Sequence, residues 1–432
     1  MASVLRTLIS DAEIASCRPG PDVGLARDLS VPFFRPDIGV EEIEEVTAVL
    51  KSGWLTSGPC TRRFEQSFAE HVGASHGVAL NSCTAALHLA VEALGLTAGQ
   101  AVLVPTMTFA ATAEVVRYSG AVPILVDCDP ITGNMSLSDA EKKLELVKNG
   151  NLLGGPVIGA KIVGIIPVHV GGLMMDLDAI HQFATAHGLW VVEDAAHAFP
   201  AAWRRSARDR WQRCGEGTSA ITCFSFYANK TITTGEGGMA VTENKTLADR
   251  IRLMSLHGLS HEAWGRHSDI NSWDYKIVAP GFKYNLTDTA AAVGIHQLKR
   301  AESMRQEREY IAQTYLSSLR HVTELELPVE NTNRIHSRHL FPIRLNLDRL
   351  DVTRDEFILE LKQSGVGCSV HWRPLHLHPY YQETFGWDAD HFPVATTLWQ
   401  RLVSLPIFSG MTTEETGHVI DTMKRLCWKH AL

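Results

Sequence analysis

The sequence lacks the features of a membrane-spanning or nucleic-acid-binding protein. Its 432 residues contain no uninterrupted apolar run near the roughly 20 residues that span a bilayer. The longest candidate, residues 162–170, holds a proline and a histidine and is better explained as a buried strand. Charged residues make up 20% without a long run of one sign, and the net charge is −8. This balance argues against a general binder of nucleic acid or membrane surfaces.

Cysteine is too sparse for a disulfide scaffold, and no pair has the C-x-x-C spacing of a zinc site. We therefore expect reduced thiols in a cytoplasmic protein. The first residues carry one basic side chain before a short apolar stretch that acidic residues interrupt, which is not typical of a signal peptide. The 45% of hydrophobic residues suffices for two packed domains.

Short apolar, often β-branched runs alternate with helix-length segments between about residues 75 and 245. This alternation predicts an α/β fold with a mostly parallel central sheet covered by helices. The predicted strands are 77–80, 101–104, 122–126, 162–168, 189–192, 221–226 and 237–241. A helix is predicted over 83–94, with Gly95 just beyond its end.

The pattern changes after residue 300. A polar-rich helix over 301–319, a strand in HLFPIRLNL, a helix over 354–364 and a strand in SVHW predict a smaller α+β domain. We therefore divide the chain into an N-terminal extension (1–30), a large domain (31–300) and a small C-terminal domain (301–432). The first part of the large domain is expected to contribute to the small domain or to an interface.

Two charged side chains follow predicted buried strands. In VVEDAAHA, Asp194 lies where open α/β sheets bind their ligands. Its carboxylate could bind a metal, anchor a ribose, cap a helix or pair with a protonated pyridine nitrogen. In CFSFYANKTITTGEGG, Lys230 is either a nucleophile that a partly desolvated site helps to deprotonate, or a surface lysine in a glycine-rich hairpin.

A third segment, NSCTAALHLAVEALGL, opens an apolar helix with Ser82 and Thr84. Such a helix start either binds a phosphate or is simply capped by Ser82. Together the three segments offer a phosphate cradle, a carboxylate and a lysine, in that order over about 150 residues.

With these segments in place, the sequence resembles the DegT/StrS family of sugar aminotransferases from about Val31 onward. That family shares the fold of aspartate aminotransferase (fold type I) and uses pyridoxal 5′-phosphate (PLP). The motifs that carry the resemblance are SGWLTSGP, NSCTAALHLAVEALGL, VPTMTFAATA, VEDAAHA, SFYANKTITTGEGG, GFKYNLTD and SVHWRPLHLHPYY.

The resemblance implies roles around the cofactor ring. Lys230 would form a Schiff base with PLP and move the proton during transfer. Asp194 would keep the pyridine nitrogen protonated, so that the ring serves as an electron sink. His197 would contact the phenolic oxygen. Phe109 would stack on the ring, unless it is a core residue at a strand end.

The resemblance also implies a phosphate site shared between two subunits. The expected set in one chain is Ser82, Cys83, Thr84 and Ser225, with the contact at Cys83 made through the backbone. A second subunit would contribute the GFKYNLTD segment through Asn285 or Lys283, of which we favour Asn285. The smallest active unit would then be a homodimer.

Trp54, Thr56 and His257 match stretches that border the sugar site in relatives, and Lys283 and His371 are further candidates for substrate contact. The histidines of SVHWRPLHLHPYY lack the acidic general base of an H-E-x-x-H site, so no metal is expected. Where relatives have a short Gly- and Lys-rich hairpin, residues 204–213 carry five arginines. They form either a solvated loop or contacts to the diphosphate of a nucleotide-linked sugar.

These expectations describe a transaminase that takes an amino group from an amino acid, L-glutamate by preference, and gives it to the keto group of a nucleotide-activated deoxy sugar. Amination of a cyclitol ketone uses the same residues and stays open. A PLP-dependent sugar dehydratase is disfavoured because such relatives carry His in place of Lys230. A non-catalytic PLP-fold module would be expected to lose Lys230 or Asp194, and a Rossmann oxidoreductase would need a G-x-G-x-x-G motif that the sequence lacks.

Overall fold

A seven-stranded sheet forms the centre of the chain in a computed structural model that describes residues 29–150, 159–217, 219–259 and 275–432. Residues 1–28 of the predicted N-terminal extension lie outside the described part. The strands, in chain order, are β1 (His76–Leu80), β2 (Gln100–Pro105), β3 (Val122–Val126), β4 (Lys161–Ile165), β5 (Trp190–Asp194), β6 (Ala202–Trp203), β7 (Gln212–Arg213), β8 (Ile221–Ser225), β9 (Gly238–Thr242), β10 (Leu325–Glu326), β11 (Arg334–Ile335), β12 (Phe341–Leu345) and β13 (Leu402–Leu405).

Twelve α-helices are described. In chain order they are α1 (Val40–Ser52), α2 (Pro59–Val72), α3 (Cys83–Ala93), α4 (Ala111–Tyr118), α5 (Leu137–Lys148), α6 (Leu177–His187), α7 (Lys245–Met254), α8 (Asp288–Leu319), α9 (Arg354–Gln363), α10 (Pro379–Phe385), α11 (Pro393–Arg401) and α12 (Thr413–His430). Among these helices, none combines the length and the apolar composition that a bilayer crossing requires.

The central sheet has the order β1-β9-β8-β5-β4-β2-β3. Neighbouring strands are parallel from β8 to β3, and only β9 runs antiparallel to both of its neighbours, β1 and β8. Every residue of β3 and β9 is buried, so helices cover both faces of the sheet. The predicted α/β class with a mostly parallel sheet is therefore confirmed. One detail was wrong, because Asp194 is the last residue of β5 and does not follow it.

Helix α3 packs against β5, β8 and β9, at the end of the sheet where the candidate site lies. It starts where the side chain of Ser82 accepts a hydrogen bond from the Ala85 N–H at 3.0 Å. It ends before Gly95, whose φ of 77° is in the left-handed region that glycine favours. Both ends agree with the sequence prediction.

Helix α8 runs across the predicted domain boundary at residue 300. It begins at Asp288, because Thr287 accepts a hydrogen bond from the Ala290 N–H at 3.3 Å, so the predicted start at residue 301 was wrong. Its first half packs in the core around the large sheet, while its second half, including Tyr315, packs in a second core with β12 and β13. The segment from Leu375 to Phe392 returns to the first core. The proposed domain boundaries stay a prediction.

The second core surrounds a three-stranded sheet of order β10-β12-β13. Val31 packs in this core and pairs with Val366, so the described start of the chain joins it. The predicted strand SVHW is absent from the described structure. Ser369 makes only an isolated bridge to Ser404. The side chain of His371 turns towards Ser404, and that of Trp372 turns towards His197. On this side of the small sheet, β12 pairs with β13 and not with the SVHW segment.

Strand β9 and the start of α3 are in backbone contact at Gly238. A Cβ atom at this position would lie within 2.5 Å of the Cys83 nitrogen and would also overlap the Ser82 carbonyl group. Only glycine allows this approach, because neither backbone segment can yield as a flexible side chain would. The contact fixes the first turn of α3 beside the strand that follows Lys230.

We predict that Gly238→Ala lowers the free energy of unfolding by about 1–3 kcal/mol, since the added methyl group overpacks a backbone contact. The matched control is Gly417→Ala in the interior of α12, where an added Cβ meets nothing within 4 Å. This control should be neutral or stabilising by about 0.4–1 kcal/mol. Thermal unfolding of both variants measures the difference, and equal melting temperatures for Gly238→Ala and the wild type would contradict the contact.

Candidate active site

The amine of Lys230 is buried in the turn that follows β8. The turn is closed by a hydrogen bond from the Lys230 N–H to the Tyr227 carbonyl at 2.9 Å and by one from the Thr234 N–H to the Phe226 carbonyl at 2.9 Å. Burial lowers the pKa of Lys230 to about 8, and the charge of the nearby Asp194 opposes part of this shift. The amine can therefore lose its proton near neutral pH, as a nucleophile must.

The carboxylate of Asp194 lies at the carboxyl end of β5. It accepts hydrogen bonds from the Thr112 hydroxyl at 2.8 Å and from the Ala196 N–H at 3.1 Å. Burial raises the pKa of Asp194, while the hydrogen bond from Thr112 and the charge of Lys230 lower it. A buried carboxylate with these donors can pair with a further cation, such as a protonated ring nitrogen.

His197 is held in a defined orientation. Its ring nitrogen Nδ1 accepts a hydrogen bond from the Gly171 N–H at 3.3 Å, and its ring stacks on Trp372 at 5.0 Å between centroids. Burial, followed by the charge of Lys230, holds the pKa of His197 well below its usual range. The ring is therefore neutral, and since Nδ1 accepts, the proton lies on Nε2, which can donate to an acceptor in the site.

The first turn of α3 lies at the same edge of the sheet. Ser82 and Thr84 are half-buried, and Cys83 is buried with its thiol near Asp194 and Lys230. Burial raises the pKa of the Cys83 thiol well above its usual range, so this side chain stays protonated. The free N–H groups of a first helical turn favour an anion. Ser225, at the end of β8, pairs with Gly238 and so lies beside this turn.

Several buried polar atoms around the lysine have no partner among the described residues. They are Oδ1 of Asn229, Oγ1 of Thr231 and Nδ1 of His339. Each unpaired group costs about 1–3 kcal/mol, which a polar ligand would recover. With an anion-binding helix start, a carboxylate, a neutral histidine and a deprotonatable lysine, this donor set fits a phosphorylated pyridine aldehyde such as PLP.

The structure also brings residues into the site that the sequence did not single out. Thr112 lies within the motif VPTMTFAATA, yet nothing in that motif showed that its hydroxyl bonds to Asp194. His339 lies in the segment predicted as a strand, and its Nε2 is 3.4 Å from the Lys230 amine. His371 was predicted, and its Nδ1 lies 3.0 Å from the Ser404 hydroxyl. Burial and the charge of Lys230 lower the pKa of His371 to about 4, so it is neutral.

Other predicted residues are not enclosed within one chain. The side chain of Phe109 is 64% exposed. Four further predicted residues are also exposed: Trp54, Thr56, His257 and Lys283. Asn285 is half-buried beside the end of β1, where it pairs with Leu80 and donates to the Ser57 hydroxyl at 2.7 Å. The end of the HGLSHEAWGRH segment, from residue 260, lies outside the described part.

The arginine-rich segment forms the hairpin of β6 and β7, which pairs with β11. Four of its arginines contact groups of their own chain. Arg204 lies over Trp211, Arg205 pairs with Asp178, Arg210 pairs with Glu216, and Arg213 donates to the His71 carbonyl. In the described ranges, no group accepts a hydrogen bond from the Arg208 guanidinium. Contact of this loop with a diphosphate stays a prediction, with Arg208 as its candidate.

The comparisons with known proteins agree with this site. Residues 36–424 match the model of the DegT/DnrJ/EryC1/StrS aminotransferase family. The chain is 41% identical over 402 residues to the uncharacterized protein MJ1066 of Methanocaldococcus jannaschii, covering 93% of this chain and 99% of the relative. It is also 41% identical over 399 residues to the spore coat polysaccharide biosynthesis protein SpsC of Bacillus subtilis, covering 92% and 97%.

Among solved structures, the chain resembles Spr1654, a proposed sugar aminotransferase from Streptococcus pneumoniae. Its PLP form matches with a TM-score of 0.80 and 30% identity, covering 93% of this chain and 99% of that chain. Its PMP form matches with a TM-score of 0.82 and 31% identity, covering 92% and 99%. The predicted fold class, cofactor and reaction type are confirmed. The protein is thus a PLP-dependent aminotransferase that belongs to the DegT/DnrJ/EryC1/StrS family.

Proposed function

We propose that the enzyme moves an amino group from L-glutamate to the keto group of a nucleotide-activated deoxy sugar. The observation that carries the proposal is the buried amine of Lys230, placed beside Asp194 and the first turn of α3. The sugar as acceptor is supported by two relatives, one named for polysaccharide biosynthesis and one for sugar amination. The cytoplasmic location expected from the sequence stays a prediction.

When bound, PLP supplies an electron sink for the carbon that carries the transferred amino group. The protein residues position this group and move protons. Asp194 would hold the proton on the pyridine nitrogen, and the Nε2–H of His197 would donate to the phenolic oxygen. The N–H groups of Cys83 and Thr84, with the Ser82 and Ser225 hydroxyls, would bind the phosphate.

Lys230 would hold the cofactor in the resting enzyme, and its amine is placed to act as the acid and base in the transfer. Because its amine has a pKa of about 8, it can both accept and return a proton at neutral pH. It takes a proton from the glutamate carbon in the first half-reaction and gives one to the sugar carbon in the second. His371, neutral and close to this amine, is placed to contact the sugar without adding charge.

A homodimer would complete this site. The side chains of Phe109, Ile277 and Val40 are 64%, 66% and 60% exposed in one chain. Trp54 and Tyr227 are also exposed. In the sequence, Trp54 is close to Ser57 and Tyr227 is close to Lys230. A second copy of the chain would cover such groups, and its Asn285 would reach the phosphate.

The test of the transfer compares Lys230→Ala with the wild type. We expect the wild type to bind PLP with a yellow colour, to lose this colour with L-glutamate and to regain it with a nucleotide-linked keto sugar. Lys230→Ala should show neither the loss nor the return of the colour, because the amine that holds and returns the proton is gone. The control is Lys245→Ala, which removes an exposed amine paired with Asp249. Colour changes that persist in Lys230→Ala would contradict the proposal.

The shared site is tested by mixing two inactive variants. If Asn285 serves the partner's site, co-expressed Lys230→Ala and Asn285→Ala chains should regain activity, since one site per heterodimer then has both native residues. Activity of the mixture is compared with that of each variant alone. The control pair, Lys230→Ala with Asp194→Ala, should not recover because both residues act within one chain. No recovery in the first mixture would mean that Asn285 serves its own chain.

A further inference from the structure

The imidazole of His339 lies against the amine of Lys230. Its Nε2 is 3.4 Å from the Lys230 Nζ, and no other group of the described residues forms a hydrogen bond with that amine. His339 comes two residues before β12, a strand of the second core. Its ring also packs on His197, with 4.2 Å between the centroids.

Packing alone does not explain a histidine at this place. The side chain is only 4% exposed, and its Nδ1 has no hydrogen-bond partner among the described residues. An unpaired buried ring nitrogen is destabilising, so an apolar side chain of the same shape would pack better. The feature that an apolar side chain could not supply is the nitrogen that faces Lys230.

The ring is in a form that can accept from the amine. Burial lowers the pKa of His339 well below its usual range, and the charge of Lys230 lowers it further. A neutral ring has one nitrogen without a proton, and Nε2 is this acceptor when the ring proton lies on Nδ1. The lysine ammonium and the lysine amine both carry protons to donate.

We propose that His339 is a positioning residue, which accepts a hydrogen bond from Lys230 through Nε2 and directs the amine in proton transfer. This inference rests on the role of Lys230 under the proposed function. In the cofactor-free protein the bond favours the protonated amine, so it opposes the effect of burial. During transfer the hydrogen bond orients the free Lys230 amine, so that the amine can reach the reacting carbon.

Other groups face the amine as well, and the test must separate them. Asp194 on β5 favours the protonated form of Lys230, and Cys83 on α3 lies nearby as a neutral thiol. Lys230 in turn disfavours protonation of His197, which follows β5, and of His371, which follows α9. Substitution of His339 leaves all four of these groups in place.

The experiment measures acetylation of Lys230 by acetic anhydride in the cofactor-free protein as a function of pH, followed by mass spectrometry. Only the unprotonated amine reacts, so the midpoint of the pH curve reports its protonation, near pH 8 in the wild type. His339→Phe should lower the midpoint by about one pH unit, because the ammonium loses its acceptor. The same variant should slow the glutamate half-reaction by up to about a hundredfold, since the amine is no longer aligned.

Two further variants distinguish positioning from packing. In His339→Gln the side-chain amide lies where Nε2 was, so the midpoint of the acetylation curve and the rate of the glutamate half-reaction should both recover. In His339→Asn the side-chain amide lies where Nδ1 was, so neither quantity should recover. An unchanged midpoint in His339→Phe overturns the proposal, as does equal behaviour of the Gln and Asn variants.

The control for loss of a buried imidazole is His376→Gln. His376 is fully buried and hydrogen-bonded to Thr106 and Thr396, and Lys230 is not among the charges that act on it. This variant should lower the melting temperature and leave the Lys230 midpoint unchanged. Failure of the proposed function would be seen separately, as glutamate-dependent colour changes that persist in Lys230→Ala.

Discussion

Burial of the Lys230 amine is the constraint on which the rest of the site depends. Taking an ammonium group out of water is costly, so the protein either neutralises it or pairs it. Here burial lowers the pKa of Lys230 to about 8, while the charge of Asp194 opposes part of this shift. Burial, with a smaller contribution from the same amine, keeps His197 and His371 neutral. The site thus gains a lysine that can exchange a proton and histidines that act only through hydrogen bonds.

The sheet supplies the rigidity that this arrangement needs. Successive side chains of β5 point to opposite faces, so Asp194 faces the site and Glu193 faces away. Glu193 is buried and bonds to His169 at 2.8 Å and to the Thr222 hydroxyl at 3.2 Å, which ties β5 to its neighbours. These three groups form a hydrogen-bonded anchor behind the carboxylate. On the site face, Thr112 from α4 fixes Asp194 in turn.

The sequence predicted the parts of the molecule that depend on local pattern. Buried runs located the strands that lead to Asp194 and Lys230, and Ser82 and Gly95 marked the ends of α3. It could not predict contacts between distant segments, such as Thr112 with Asp194 or His339 with Lys230. SVHW was taken for a strand because its composition is typical of one, whereas its side chains turn into the site. The exposure of Phe109 shows a different limit, since under the proposed homodimer a second subunit would decide its environment.

The most direct test of the account is to identify the residue that carries the cofactor. Borohydride reduction of the PLP-loaded protein, followed by peptide mass spectrometry, fixes the cofactor on its lysine and locates it. The account predicts the added mass on Lys230 alone. Labelling of another lysine, such as Lys283 or Lys276, or no stable labelling at all, would contradict the central role given to the buried amine.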